Sequence, residues 1–165
     1  MSALLLGKTL VGMRAEDISR GVDLLAARPE VDAEKIIGFG VDAAAIPLLH
    51  EAVLDQRLKK VALEGVLVSY ESAVRHRIQR DIFQSVIPGV LKAYDLEDLM
   101  AALAPRPTWI VNARDPMGFP VGVRKAREQY ARSVEAFKSL NAADAIRLEV
   151  TEPGEGALAV YRGLK

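Results

Sequence analysis

The chain has 165 residues, the size of one ordinary domain, and half of them are apolar. Its 22 basic and 22 acidic side chains balance, so nothing in the charge indicates a nucleic-acid or membrane-surface partner. Cysteine is absent, which excludes a disulfide framework, a thiolate zinc site and a cysteine nucleophile. No apolar stretch approaches the roughly 20 residues that span a bilayer, and residues 1–6 lack the features of a signal peptide. We therefore expect one soluble, cytoplasmic domain over residues 1–165.

The first predicted unit of the fold is a strand, a sharp turn and a helix, preceded by another helix. Residues 14–28 are predicted to be helical because apolar residues recur there at helical spacing, and Pro29 ends the pattern. Residues 35–40 form a short apolar run bounded by glycine, which is typical of a buried strand. An alanine- and leucine-rich helix is predicted to follow over residues 42–55.

Strands and helices continue to alternate along the rest of the chain. Further strands are predicted at residues 61–68, 109–113 and 146–150, and further helices at residues 71–83, 96–103, 121–140 and 155–164. Parallel strands need long crossover connections that usually hold a helix, so this alternation predicts parallel pairing with helices on both faces. We therefore predict an α/β fold, a three-layer sandwich around a mostly parallel sheet of about four strands. Ligands of such folds bind at the carboxyl ends of the strands.

The end of the first predicted strand carries two possible motifs. The pair Gly38 and Gly40 suggests a dinucleotide-binding loop, but the third glycine of that pattern would fall on Ala43. A nucleophile elbow fits better, since it needs small residues two positions before and after the nucleophile. The frame Gly40-Val41-Asp42-Ala43-Ala44 meets that need, with Asp42 at the exposed position.

An ordered set of segments along nearly the whole chain resembles the α/β-hydrolase superfamily, especially the branch of acetyl xylan esterases and dienelactone-hydrolase-like proteins. The segments that carry the resemblance, besides the elbow, are Gly7-Lys8-Thr9-Leu10-Val11-Gly12-Met13-Arg14, Arg28-Pro29-Glu30-Val31-Asp32, Leu63-Glu64-Gly65, Ser69-Tyr70-Glu71-Ser72, Ile87-Pro88-Gly89-Val90-Leu91, Tyr94-Asp95-Leu96-Glu97-Asp98-Leu99 and Leu103-Ala104-Pro105-Arg106-Pro107. They match the second half of those proteins in the same order.

The resemblance implies a truncated hydrolase with a degenerate catalytic triad. The chain begins just before the helix that leads to the elbow, so the family's earlier strands are expected to be missing. Asp42 occupies the position where the family has a nucleophilic serine, and Asp115 occupies that of the acid. The histidine position falls near Glu155, so the Ser-His-Asp triad is not expected. The Ala43 N–H is expected to serve as an oxyanion donor.

Three carboxylates, those of Asp42, Asp115 and Glu155, are expected on neighbouring strand ends. Gathered there, they would attract a cation, and His76 on the helix after the second strand could reach the same rim. A divalent metal such as zinc would neutralise the cluster and activate water, although no cofactor at all is the alternative. Simpler interpretations also stand: Asp42 as the capping residue of its helix, and His76 as a solvated surface histidine.

Two functional hypotheses follow. The first is a hydrolase of an activated carboxyl or phosphoryl ester, a small molecule, with a carboxylate-lined and metal- or base-assisted site formed by Asp42, His76, Asp115 and Glu155. The second is a non-catalytic degenerate hydrolase that binds a ligand or a partner. The missing serine and histidine favour the second, whereas the retained elbow and acid loop favour the first.

The first strand also predicts assembly. Residues 35–40 are apolar and contain neither proline nor an inward charge, and the resemblance implies that a neighbouring strand is missing on one side. Pairing of this edge with that of a second copy predicts a homodimer. The competing prediction is that residues 1–13 fold back as a strand and cover the edge.

Overall fold

A computed structural model of the protein describes Leu5, residues 7–151 and Leu158–Tyr161. The strands within these residues are β1 (Ile37–Val41), β2 (Lys60–Glu64), β3 (Thr108–Val111) and β4 (Ile146–Glu149). The α-helices within them are α1 (Leu10–Ala26), α2 (Ala45–Leu54), α3 (Tyr70–Arg75), α4 (Leu96–Ala102), α5 (Val123–Gln129), α6 (Ala131–Ser139) and α7 (Leu158–Tyr161).

The four strands form one sheet in the order β1-β2-β3-β4, and every neighbouring pair is parallel. Each crossover carries helical segments, as parallel pairing requires. The fold class expected from the sequence is therefore confirmed: the protein is α/β with a four-stranded parallel sheet. Because the strands are parallel, all their carboxyl ends meet at one edge, which is where a ligand site is expected.

The larger core lies on one face of the sheet, where α2 packs directly on β1 and β2. Gly38 and Gly40 permit this close approach. A Cβ at Gly38 would lie 2.8 Å from Leu48 Cδ1, and a Cβ at Gly40 would lie 2.9 Å from the Cα of Ala45. Helix α1 covers α2 from outside, and α4 packs against both α2 and α6.

The opposite face of the sheet holds a smaller cluster around Tyr161 of α7. Its ring stacks on Trp109 and meets Phe39 edge-to-face, with a centroid distance of 4.7 Å to Phe39. Its hydroxyl donates a hydrogen bond of 2.9 Å to the Glu64 carboxylate, and burial raises the pKa of this phenol. Helices therefore pack on both faces, and the sheet is the middle of three layers.

Two helices differ from the sequence prediction. The helix predicted at residues 71–83 ends at Arg75, because Val74 and Ile78 have no core to pack against and are 72% and 68% exposed. The Gln79 side-chain amide then donates to the Ala73 carbonyl oxygen, which closes the end of α3. The single helix predicted at residues 121–140 is divided at Tyr130, whose ring is fully buried.

At the two ends of the chain, the described residues cover only part of the predicted strand and helix. Residues 10–13, expected as part of a strand that covers the edge of β1, lie in α1, where the Gly12 N–H donates to Thr9 Oγ1 at 3.0 Å. Of the helix predicted at residues 155–164, Leu158–Tyr161 is helical, and the other positions lie outside the described residues. None of the helices in the described ranges is both long and apolar enough to cross a membrane.

The close packing of α2 on β1 predicts that Gly40→Ala lowers the free energy of unfolding by about 1–3 kcal/mol, because the new methyl group meets backbone atoms that cannot move independently. Urea unfolding measures the loss. Gly21→Ala is the matched control, since Gly21 lies inside α1 and a Cβ added there would have nothing within 4 Å. Its free energy of unfolding should rise by about 0.5–1 kcal/mol. Equal stability of the two variants would contradict the packing argument.

Candidate functional site at the carboxyl ends of the strands

The junction between β1 and α2 has the geometry of a nucleophile elbow. Asp42 follows the last residue of β1 and adopts a left-handed conformation with φ of +49°, which is uncommon for a residue other than glycine. The 3₁₀ turn Asp42–Ala44 then leads directly into α2. This reversal places the Asp42 side chain, which is half exposed, at the edge where the strands end.

The Asp42 carboxylate forms an ion pair with Arg114, with 2.9 Å between Oδ1 and Nη1. Gly65 lies directly beneath the pair. It has φ of +65°, and a Cβ at this position would collide with Asp42 Oδ1 and lie 3.2 Å from Arg114 Nε. Asp42 is not the capping residue, because Val41 holds the cap position of the 3₁₀ turn and Ala44 holds that of α2.

Backbone pairing beyond β2 and β3 positions Arg114. The Arg114 N–H donates to the Val66 carbonyl at 2.8 Å, and the Arg114 carbonyl accepts from the Val68 N–H at 2.8 Å. These bonds extend the parallel pairing past the last regular residues of both strands. The side chain of Arg114 therefore extends from a hydrogen-bonded backbone rather than from a free loop.

A cavity of about 360 Å³ opens beside this ion pair. Asp42, Ala43 and Arg114 line it together with Arg80, whose guanidinium is mostly exposed. Ala43 lies in the first helical turn, where backbone N–H groups have no intrahelical partner and point towards the open end. The cavity thus offers two carboxylates, those of Asp42 and Asp81, two guanidinium groups and the first N–H groups of a helix.

Arg114 was not among the residues selected from the sequence. The feature of the sequence that indicates Arg114 is its position, one residue before Asp115 in the loop that follows the third strand. The resemblance assigns a role at this loop to Asp115 and none to the arginine beside it. Arg80 belongs to a basic run, Arg75, Arg77 and Arg80, which the sequence alone does not separate from a solvated surface. Only Arg80 of this run lines the cavity, and Arg75 pairs with Glu71 at 2.6 Å.

The Asp115 carboxylate lies in a different setting from the one expected. Its Oδ1 accepts hydrogen bonds of 2.9 Å from the N–H groups of Met117 and Phe119, which closes a tight loop. Its neighbours Arg114 and Pro116 line the cavity, whereas Asp115 does not. In the described structure, Asp115 therefore organises the loop that carries Arg114.

The remaining predicted site residues are not brought to the cavity by the described structure. His76 follows the last residue of α3 and is exposed, and it does not line the cavity. Glu155 lies outside the described residues. Within residues 7–151 and 158–161, no group of three or more acidic or histidine side chains is placed to hold a metal ion.

Comparisons with known proteins show the fold of the chain. No protein-family model matches the sequence, and no curated protein is significantly similar to it. Its structure is similar to that of an acetyl xylan esterase candidate from Bacteroides fragilis NCTC 9343, with a TM-score of 0.76, 15% identity, and coverage of 94% of this chain and 40% of that one. It is also similar to a carbohydrate esterase family 15 glucuronoyl esterase from Caldicellulosiruptor kristjansonii, with a TM-score of 0.64, 18% identity, and coverage of 91% and 47%.

The chain spans less than half the length of either esterase. At 15% and 18% identity, these similarities show a shared fold alone. They agree with the resemblance seen in the sequence as far as the fold is concerned. The truncation and the degenerate triad remain predictions.

The contact between Gly65 and the ion pair leads to a prediction about stability. Gly65→Ala should lose about 1–2 kcal/mol through its left-handed conformation and at least about 1 kcal/mol more, because the methyl group pushes Asp42 away from Arg114. Gly89→Ala is the control, since Gly89 also has positive φ but a Cβ added there would have nothing within 4 Å. Urea unfolding of both variants isolates the cost of the contact. An equal loss in the two variants would show that Asp42 yields without cost.

Proposed function

We propose that the chain hydrolyses an ester at the cavity beside Asp42 and Arg114. The observation that carries this proposal is the position of Asp42, a left-handed residue between β1 and α2 that faces a cavity together with Arg114, which follows β3. Strained backbone of this kind clusters at functional sites. The cavity also lies at the carboxyl ends of parallel strands, where ligands of α/β folds bind.

The names of the two similar structures support the choice of an ester as the substrate. One is described as an acetyl xylan esterase candidate and the other as a glucuronoyl esterase. In both cases the bond named is a carboxylic ester of a carbohydrate. We therefore favour a carboxyl ester over the phosphoryl ester that the sequence left open.

The proposed reaction uses water as the nucleophile. The Asp42 carboxylate accepts a proton from the water molecule as its oxygen attacks the ester carbonyl carbon. The N–H of Ala43, at the start of the helical turn, donates a hydrogen bond to the resulting oxyanion. The bond from carbon to the alcohol oxygen then breaks, and the proton held by Asp42 passes to the leaving alkoxide, which gives a carboxylic acid and an alcohol.

The two arginines give the proposed site a preference for a substrate with an anionic group. Arg114 neutralises Asp42 before substrate binds, since the two form an ion pair. Arg80 lies at the rim, where its nearest carboxylate is that of Asp81, 3.6 Å away and largely exposed. This exposed ion pair is weak, so an anionic group of the substrate can replace Asp81, and a guanidinium recognises a carboxylate through paired N–H donors.

A metal-assisted version of the reaction is not supported by the described residues. Asp42 is engaged by Arg114, Asp115 is engaged by its own loop, and His76 does not line the cavity. We derive no step through a metal ion. The version with Glu155 as a further catalytic carboxylate belongs to the same proposal and is tested with it.

The proposed base predicts that Asp42→Asn lowers kcat for the best substrate of a carboxyl ester panel at least about tenfold, or about 1.4 kcal/mol, because the amide cannot accept the proton of water. Serine-directed inhibitors should have no effect, since no serine occupies the elbow. Asp144→Asn is the control, because Asp144 is an exposed aspartate in the 3₁₀ turn before β4.

Full activity of Asp42→Asn would refute the role of Asp42. Binding of the ester without turnover by the unaltered chain would select the non-catalytic alternative. Loss of activity in a chelator, with recovery on addition of zinc, would replace the water mechanism by the metal-assisted one. Glu155→Gln tests the additional carboxylate in the same assay.

We also propose that the protein acts as a homodimer in the cytoplasm. Among the described residues, β1 pairs only with β2, so one side of its backbone is left at the sheet edge. Ile37, Phe39 and Val41 add exposed apolar side chains to this strand, and an apolar groove runs between it and α1. In a dimer with a twofold axis, the β1 edges of the two copies would pair with each other and bury the exposed apolar side chains of both.

The dimer proposal predicts a mass of twice the 17.9 kDa chain in light scattering behind a sizing column at micromolar concentration. Ile37→Lys should shift the protein to monomer, because it places a charge on the paired edge. Val74→Lys, at an exposed apolar position on α3, should leave the dimer intact. A monomer for the unaltered chain would refute the proposal.

A further inference from the structure

A second cavity, of about 480 Å³, lies on the other side of α2 from the sheet, between α2 and the first half of α1. It shares no residue with the cavity at Asp42. Its walls are partly apolar, formed by Val11, Ala15, Leu54 and Ile87. Its polar groups come from α1 and the residue that caps it, from α2 and from Tyr94, and their hydrogen bonds determine which ligands can enter.

The hydrogen bonds of His50 set its tautomer. Nδ1 lies 2.8 Å from the carbonyl oxygen of Ile46, which can only accept, so Nδ1 carries the hydrogen. Nε2 is then an acceptor, and the Tyr94 hydroxyl donates to it at 3.1 Å. Burial lowers the pKa of His50, which keeps the ring neutral at physiological pH.

The proton of Tyr94 is therefore used by His50 and is not free for a ligand. Its hydroxyl oxygen keeps lone pairs that can accept from a ligand, and burial raises the pKa of this phenol, so the hydroxyl stays protonated. Of the side chains that line the cavity, none is lysine or arginine. Thr9 and Ser19 add hydroxyl groups, which serve as donors or acceptors.

Glu51 is the acid of this cavity that has no counter-charge among the described residues. Its side chain lines the cavity and the residue is only 6% exposed, yet within residues 7–151 and 158–161 the carboxylate forms no hydrogen bond or ion pair. The rest of the residue is packed, so the carboxylate can meet a counter-charge only from the cavity. The other acid of the lining, Glu16, is neutralised by Arg20 at 2.8 Å and by Lys8 at 3.6 Å.

We propose that this cavity binds a small organic cation, an amine or amidine with an apolar body, whose N–H groups donate to the Glu51 carboxylate and the Tyr94 hydroxyl oxygen. The cation supplies the positive counter-charge that the Glu51 carboxylate lacks, and the apolar walls of the cavity contact the hydrocarbon part of the ligand. A neutral or anionic molecule of the same shape leaves the carboxylate without a counter-charge and binds more weakly.

Titration calorimetry with benzylammonium chloride tests the proposal. We expect saturable binding of one equivalent, with benzyl alcohol and phenylacetate at least about tenfold weaker. Glu51→Gln keeps the shape of the side chain but removes its charge, and it should weaken benzylammonium at least about tenfold. The same variant should melt at the temperature of the unaltered protein when no ligand is present, because the carboxylate makes no hydrogen bond or ion pair that the amide would lose. Glu135→Gln, on the exposed face of α6, is the control and should change neither quantity.

Tyr94→Phe provides a second variant that does not depend on the stability of Glu51→Gln. It removes the second acceptor, and it should weaken benzylammonium more than benzyl alcohol. The proposal is overturned if benzylammonium does not bind up to roughly 10 mM, if Glu51→Gln binds it as tightly as the unaltered protein, or if benzyl alcohol binds equally well. These outcomes are independent of ester hydrolysis, because the two cavities have no residue in common.

Discussion

The close contact between β1 and α2 is the constraint on which the rest of the structure depends. Two glycines of β1 bring the strand within van der Waals distance of Leu48 and of the α2 backbone, and the chain must then reverse within one residue. Asp42 makes that reversal in a left-handed conformation. Larger residues at Gly38 or Gly40 would push α2 outwards, and Asp42 would no longer face the strand ends. The core and the site are thus consequences of the same packing.

The ion pair between Asp42 and Arg114 connects the ends of β1 and β3 across β2. Gly65 makes this possible, because β2 ends there and the absence of a Cβ leaves room for the carboxylate. Half-exposed ion pairs contribute little stability on their own. The pair is better understood as a means of orienting the carboxylate than as a source of stability, since the backbone around Arg114 is already held by hydrogen bonds to Val66 and Val68.

Helix α2 serves two cavities because its two faces differ. Its first turns follow the elbow and face the strand ends, whereas His50 and Glu51 lie further along and face α1. Hydrogen bonds from Ile46 through His50 to Tyr94 fix the polar groups of the second cavity. Glu51 is only 6% exposed and faces a cavity that supplies no counter-charge among the described residues. This placement, which the exposed carboxylates of the surface lack, is why Glu51 indicates a ligand.

The sequence by itself determined the alternation of strands and helices, the parallel sheet and the elbow around Asp42, because periodicity and glycine spacing are local properties. It did not determine the end of α3, since Val74 and Ile78 have helical spacing but find no core. Nor did it identify Arg114 as the partner of Asp42, because the 71 intervening positions carry many charges, and only the pairing of β2 with β3 selects one of them. The loop bonds of Asp115 and the missing partner of Glu51 depend on the distances between elements, and those distances exist only in the folded chain.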